Sequence, residues 1–188
     1  MPRFVSLSLL LGCSGGVTDV GNLDSTGEPC VAASSALDEE CACEAPSIVI
    51  GSGATAYEPL AEGSPLTMVH GPQGGWHMLG SAQFANLLPI VAIHYTITVV
   101  ADGTVISDNN YRVQMVRDAT CSGYFPGMYG YLDVAALAEG DSDTPPELLG
   151  GAELELRMEV VDTEERSAVD TLRVVAELDP TDAEEPAE

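Results

Sequence analysis

Apolar and polar residues alternate with a period of two in two long stretches of this chain. From Val91 to Val99, every second residue is large and apolar, and the residues between are small or polar. From Glu153 to Val160, apolar residues alternate in the same way with three glutamates and an arginine. A period of two places successive side chains on opposite faces of a β-strand. Both stretches therefore predict strands with one face on a core and the other towards solvent.

Turn signals follow both alternating stretches. Asp102-Gly103 is a strong signal for a two-residue hairpin turn with positive φ at both residues. Such a turn would place Val99 opposite Ile106 and keep the apolar face continuous across the hairpin. Residues 162–166 would turn the second stretch into a partner strand. The pattern thus predicts consecutive strands joined by hairpins.

The whole pattern predicts an all-β protein, an antiparallel β-sandwich of about seven to nine strands over residues 47–178. No capped amphipathic helix is visible, and only Leu132–Glu139 could form a helical turn or two. Residues 13–46 have no sustained period and are rich in Gly, Ser, Ala and acids, so we expect a flexible acidic tether. Residues 179–188 hold five acids and two prolines, which predicts a disordered acidic tail.

The last predicted hairpin, Leu154 to Val175, resembles the final two strands of immunoglobulin-like domains on bacterial surface proteins. In both, a Val-x-Asp step precedes a turn, and a strand that starts with small residues follows. The resemblance implies that the sandwich is immunoglobulin-like. It implies nothing about activity, because such sandwiches host many functions.

Charge changes the expected set of partners. The 188 residues include 30 acids and 6 arginines with no lysine, for a formal net charge of −24. Six arginines among 30 acids provide no basic surface to neutralise phosphates, so we expect no nucleic-acid partner. A polybasic contact with anionic lipid is excluded for the same reason.

The N-terminus resembles a bacterial export signal. Phe4–Leu11 is apolar but far shorter than the about 20 residues that span a bilayer. The Leu-Leu-Gly-Cys sequence at residues 10–13 is similar to the lipobox of bacterial lipoproteins. The resemblance implies that residues 1–12 are a signal peptide and that Cys13 is lipidated. We therefore expect an envelope lipoprotein, on the outer membrane and facing the periplasm or the cell surface, that meets the membrane only through its lipid.

Four cysteines remain once Cys13 is assigned to lipid, and an even number suits an oxidising compartment. A bond between Cys41 and Cys43 would close a very tight ring. We therefore expect Cys121 to pair with Cys41 or Cys43, and Cys30 to pair with the other. A soft-metal site at the Cys-Ala-Cys sequence is the alternative, although no second cysteine pair of that kind exists.

The segment from residue 70 to 78 contains the only tryptophan and two of the three histidines. One interpretation is a copper or zinc site formed by His70, His77 and His94. The other is a β-hairpin in which His70 lies opposite Trp76 and Val69 opposite His77, so that the two histidines face opposite sides. The hydrophobic pattern favours the hairpin register.

Other motifs of enzymes and metal sites in the sequence give little support for a catalytic activity or a calcium loop. There is no Gly-x-Ser-x-Gly elbow and no phosphate-binding loop, so we expect no enzyme. Asp141-Ser-Asp143 starts like a calcium loop, but Pro145 occupies a position where an oxygen ligand is needed. We therefore expect no cofactor. A calcium site formed by carboxylates and loop carbonyls between strands is the alternative.

These observations favour a lipid-anchored cell-envelope module that binds an unknown protein or other envelope component, or has a structural role. The alternative is a periplasmic copper- or zinc-binding protein. We expect contacts at two aromatic, glycine-rich loops, residues 71–76 and 123–131. The contact candidates are Trp76, Tyr124, Phe125 and Tyr129, and their burial would contradict this hypothesis.

Overall fold

A computed structural model describes residues 37–72, 75–135, 137 and 144–180. The expected signal peptide, Cys13, Cys30 and the residues around Asp141 lie outside this part of the chain. So does most of the expected acidic tail. What the sequence predicts for these segments stays a prediction.

The described residues confirm the all-β class. They form ten strands and two helices of five residues each. In chain order these are α1 (Glu39–Cys43), β1 (Ser47–Ser52), β2 (Glu58–Pro59), β3 (Ser64–His70), β4 (Trp76–Ala85), β5 (Ile90–Val99), β6 (Val105–Gln114), β7 (Val116–Arg117), β8 (Ser122–Tyr131), α2 (Pro145–Leu149), β9 (Glu153–Asp162) and β10 (Ser167–Leu178). No helix within them is long and apolar enough to cross a membrane.

The strands form one hydrogen-bonded sheet that curls into two layers. β4 pairs with β8 along one edge, while its other edge pairs with β3 at its start and with β1 at its end. β3 then leaves β4 and pairs with β10, so it passes from one layer to the other. The first layer has the order β2-β1-β4-β8-β7, and the second has the order β3-β10-β9-β5-β6. β1 lies against β9 and β10, which closes the sandwich over a shared core.

One strand pair departs from the expected antiparallel arrangement. β3 runs parallel to β10, with Ser64 opposite Val174 and Met68 opposite Leu178. The sheet is therefore mixed, and it has ten strands where seven to nine were expected. Local alternation predicts where strands lie, but it does not specify how segments more than 100 residues apart pair.

The β5–β6 hairpin also has another register than predicted. Val99 donates its N–H to the carbonyl of Thr104 instead of lying opposite Ile106. The carboxylate of Asp102 accepts the N–H of Thr104 at 2.9 Å, and positive φ occurs at Gly103 but not at Asp102. The aspartate side chain stabilises a longer turn than the two-residue one.

The first helix, α1, lies in a segment that has no helical pattern in the sequence. Residues 37–46 were expected to be flexible, but α1 is fixed by a disulfide between Cys41 and Cys121. That bond is one of the two pairings left open for Cys121. Cys43 is also in a disulfide, and its expected partner Cys30 lies outside the described residues.

Three further contacts hold α1 on the sandwich. Leu37 and Leu88 pack with Cys41 in a small cluster apart from the main core. Arg166 donates to the carbonyls of Ala42 and Glu44 at 3.0 and 2.6 Å. Cross-linking and tertiary packing stabilise this helix, which is too short to be stable alone.

The second helix, α2, had a readable signal in the sequence. Thr144-Pro-Pro-Glu147 is a capping box with proline in the first turn. The backbone N–H of Thr144 donates to Glu147 at 2.8 Å, and Leu149 is fully buried in the core.

The core contains one large polar side chain, Tyr95. Its ring lies against the backbone of the opposite layer, where a Cβ on Gly80 would come within 2.9 Å of Tyr95 Cε1 and one on Gly130 within 3.1 Å. Tyr95 is fully buried, and its hydroxyl has no hydrogen-bond partner among the described residues. Burial and the neighbouring Tyr111 raise the pKa of Tyr95, so it stays protonated.

The Tyr95→Phe variant is therefore expected to raise the free energy of unfolding by about 1 kcal/mol, because it removes a desolvated hydroxyl and keeps the ring. Tyr111→Phe is the matched control. The Tyr111 hydroxyl donates to the carbonyl of Tyr129, so its removal should lower stability. Urea unfolding of both variants and of the parent protein measures these changes in the free energy of unfolding. A loss of stability in Tyr95→Phe would show that the hydroxyl has a partner.

Candidate functional site

The centre of the first layer is uncharged, and its charged strand residues lie on the edge strands, Glu58 on β2 and Arg117 on β7. β1, β4 and β8, which lie side by side, contain no Asp, Glu, Lys or Arg in a chain with 30 acids. The second layer differs, because the outward residues of β9 are Glu153, Glu155, Arg157, Glu159 and Val161. The molecule thus has one strongly polar face and another face whose three central strands are neutral.

The hairpin of β3 and β4 has the register that the sequence predicted. His70 lies opposite Trp76, with ring centroids 4.8 Å apart, and Val69 lies opposite His77. The two histidines therefore project to opposite faces of the hairpin.

The structure does not bring the three candidate metal ligands together. His94 is on β5 in the second layer and bonds Asp108 at 2.8 Å. His77 lies on the outer face of the first layer, and His70 projects to the other side of its hairpin. Within the described residues, no group of three or more His, Cys, Asp or Glu side chains could hold a metal ion.

His77 instead lies in an aromatic group with two tyrosines of β8. It is opposite Tyr131, and its ring meets Tyr129 edge-on at 4.8 Å between centroids. Tyr129 and Tyr131 stack with centroids 5.8 Å apart and planes 15° from parallel. His77 is 7% exposed, whereas Tyr129 and Tyr131 are 44% and 57% exposed.

These three side chains form one wall of a cleft of about 510 Å³, which we call the aromatic cleft. Its described lining residues are Gly71, Pro72, Gly75, His77, Tyr129 and Tyr131. The volume is in the range of small-molecule sites. Burial lowers the pKa of His77 below its usual value, so the imidazole is neutral at pH 7. The cleft is therefore lined by two aromatic rings with their phenol hydroxyls and by a neutral imidazole.

The segment 123–131, predicted as a contact loop, is instead the strand β8. Its proline and glycines hid the strand signal, because Pro126 and Gly127 form a β-bulge opposite Ser81 of β4. Gly127 has φ of 69°, a left-handed conformation that favours glycine. A bulge accommodates proline without breaking the rest of the ladder.

The contact candidates differ in exposure. Trp76 and Phe125 are half-buried and pack against the main core, which leaves only part of each side chain for contacts with a partner. Tyr124 is half-buried on the outer face, opposite Gln83 and Val116. Tyr129 is exposed and lines the aromatic cleft, as does Tyr131.

The aromatic cleft lies at the opposite end of the sandwich from α1. β4 begins beside the cleft, and the chain after β4 reaches Asn86 and Leu88 next to Cys121 and Cys41. Ten strand residues rise by about 30 Å in all. We call the two ends the cleft end and the tether end. The expected tether therefore joins the domain far from the cleft.

Comparison with protein-family models and with curated proteins finds no match. Among solved structures, the chain is similar to the CooA pilin subunit from enterotoxigenic Escherichia coli, with 11% identity and a TM-score of 0.34. That similarity covers 71% of this chain and 99% of the pilin chain. Its level is too low to place this chain in a family.

Proposed function

We propose that this protein is a binding module of the bacterial envelope, anchored by lipid at Cys13, and that the aromatic cleft is its binding site. One observation carries the proposal: an exposed tyrosine pair borders an uncharged cleft at the end of the domain opposite the tether. A site placed there would face away from the membrane to which the tether leads. The proposed role is recognition without catalysis.

Two features of the chain support the envelope as its location. The Cys41–Cys121 disulfide is of a kind that persists in oxidising compartments such as the periplasm and the cell surface. The lipobox-like sequence at residues 10–13 gives the means of attachment. A net charge of −24 would oppose adsorption to an anionic membrane, so a lipid is a suitable anchor.

Palmitate labelling tests the anchor. The full chain expressed in a bacterium should incorporate labelled palmitate and sediment with membranes, and Cys13→Ala should abolish both. Labelling that persists in Cys13→Ala would place the lipid on another residue, and an absence of labelling in the unchanged chain would exclude the anchor.

Binding to isolated bacterial envelopes tests the site. The full chain carrying Cys13→Ala should bind saturably, and a further Tyr131→Ala change should weaken binding. Val169→Ala is the matched control, because Val169 is 56% exposed on the outer face of the second layer. Equal binding by the Tyr131 and Val169 variants would contradict the assignment of the cleft.

A further inference from the structure

We propose that the aromatic cleft binds a neutral saccharide. This inference rests on the proposed function, because it names the ligand class of the same site. It starts from the contrast between an acidic protein and an uncharged cleft.

Charge excludes anionic ligands first. The described lining residues include no Lys, Arg, Asp or Glu, and the chain as a whole carries −24. An anion entering the cleft would meet no cation to pair with and would be repelled by the field of the protein. His77 supplies no positive charge at neutral pH, because it is held in its neutral form.

The ring geometry argues against a cationic ligand. An ammonium group binds over the face of an aromatic ring, and cages for it surround the cation with several such faces. Here Tyr129 and Tyr131 stack on each other at 5.8 Å, and His77 meets Tyr129 edge-on. Those faces are directed at each other and do not enclose a common centre.

A neutral saccharide matches the groups on the cleft surface, which are an exposed aromatic ring and uncharged hydrogen-bonding groups. Its C–H face is apolar enough to lie on an exposed ring, and Tyr131 is 57% exposed at the end of the stack. Its hydroxyls need neutral donors and acceptors, which the two phenols and the neutral imidazole provide. These groups hydrogen-bond without requiring a charged partner.

Two glycines keep the cleft open to such a ligand. A Cβ on Gly71 would come within 3.7 Å of the His77 ring and cover its edge. A Cβ on Gly75 would meet nothing within 4 Å, so this residue faces open space at the cleft. Gly75→Leu should therefore fill part of the cleft without disturbing the core.

The size of the cleft favours a saccharide over a proline-rich peptide. Polyproline segments lie in extended aromatic grooves that hold several residues. The aromatic cleft has two exposed tyrosines on neighbouring outward positions of a single strand, bounded by the Gly71–Pro72 segment. A sugar of two or three rings suits a site of about 510 Å³.

Calorimetric titration of the full chain carrying Cys13→Ala tests the ligand class. The probes are maltotriose, cellotriose and N-acetylchitotriose, with sialyllactose, choline and decaproline for comparison. At least one neutral trisaccharide should bind saturably in the millimolar range or tighter. Tyr131→Ala should weaken that binding about tenfold, through loss of a stacking face. Gly75→Leu should weaken it as well.

Three controls separate the causes. Tyr131→Phe keeps the ring and should retain most of the affinity, while Val169→Ala should leave it unchanged. Thermal melts should show that every variant is folded, since Tyr131 and Gly75 make no core contact that the changes remove. Saccharide binding should also be insensitive to salt, because no charge is paired.

The outcomes distinguish the ligand class from the proposed function. Failure of all three neutral trisaccharides, or preferential binding of sialyllactose, choline or decaproline, overturns the saccharide inference. If envelope binding still depends on Tyr131 in that case, the proposed function stands with another ligand. If envelope binding is independent of Tyr131, the proposed function itself fails.

Discussion

Replacing Cys41 and Cys121 together by serine is expected to lower the free energy of unfolding by about 4 kcal/mol. The disulfide joins residues that are 80 apart in sequence, so it closes a large loop in the unfolded chain. Without it, the unfolded ensemble gains the conformational entropy that this loop had removed. Urea unfolding of the variant and of the parent protein measures the difference.

The slope of the urea transition separates this cause from lost packing. Cys41 is fully buried beside Leu37 and Leu88, so its replacement also disturbs a small apolar cluster. A more expanded unfolded state exposes more surface and raises the m-value, whereas lost packing lowers only the midpoint. Leu88→Ala is the matched control that perturbs the cluster and keeps the disulfide. An unchanged m-value with a small loss would contradict the entropic explanation.

Local signals predicted the strands and one hairpin well. The period of two at β5 and β9 reflects strands with one buried face, and both strands form where it occurs. The register of β3 with β4 followed from matching apolar residues on one face across a short turn, and the structure has that register. In each case the information lies within about 15 residues of sequence.

Long-range pairing was not predictable in the same way. β3 pairs with β10 across more than 100 residues, and nothing in the alternation of β3 specifies that neighbour or its parallel direction. β8 was hidden because proline and glycine at its bulge are turn residues in any local analysis. The bulge is tolerated only because β4 pairs on both sides of it.

The aromatic cleft was predictable in its parts but not as an assembly. The sequence pointed to both His77 and Tyr129, but to His77 as a candidate metal ligand and to Tyr129 as a candidate contact residue. Their contact depends on the β4–β8 pairing, which places Tyr131 opposite His77. A usable signal was present, since β1, β4 and β8 are three uncharged stretches in a very acidic chain.

Asp162 is a buried residue whose role the sequence did not reveal. It ends β9 and was expected only as part of a turn. Its side chain is 7% exposed. One carboxylate oxygen accepts the N–H of Leu88 at 3.0 Å, and the other accepts those of Glu164 and Arg166 at 2.8 and 3.0 Å. It therefore joins the β9–β10 turn to the segment between β4 and β5.

The Asp162→Ala variant should lower the free energy of unfolding by about 3 kcal/mol, because three N–H groups lose a charged acceptor. Most of this lost stability comes from the N–H of Leu88, because it is buried and has no water to replace the carboxylate as acceptor. Asp162→Asn should have an intermediate effect, since it keeps one acceptor oxygen. Asp102→Ala is the matched control, because Asp102 accepts one N–H in an exposed turn and its loss should be much smaller.

Ligand binding gives the Asp162 variant a second readout. Asp162 lies at the tether end, beside Leu88 and Arg166, and Arg166 donates to two carbonyls at the C-terminal end of α1. The aromatic cleft is at the other end of β4. At temperatures where Asp162→Ala is folded, it should therefore retain the binding that Tyr131→Ala weakens. Loss of binding in both variants at those temperatures would show that the two ends of the sandwich are coupled.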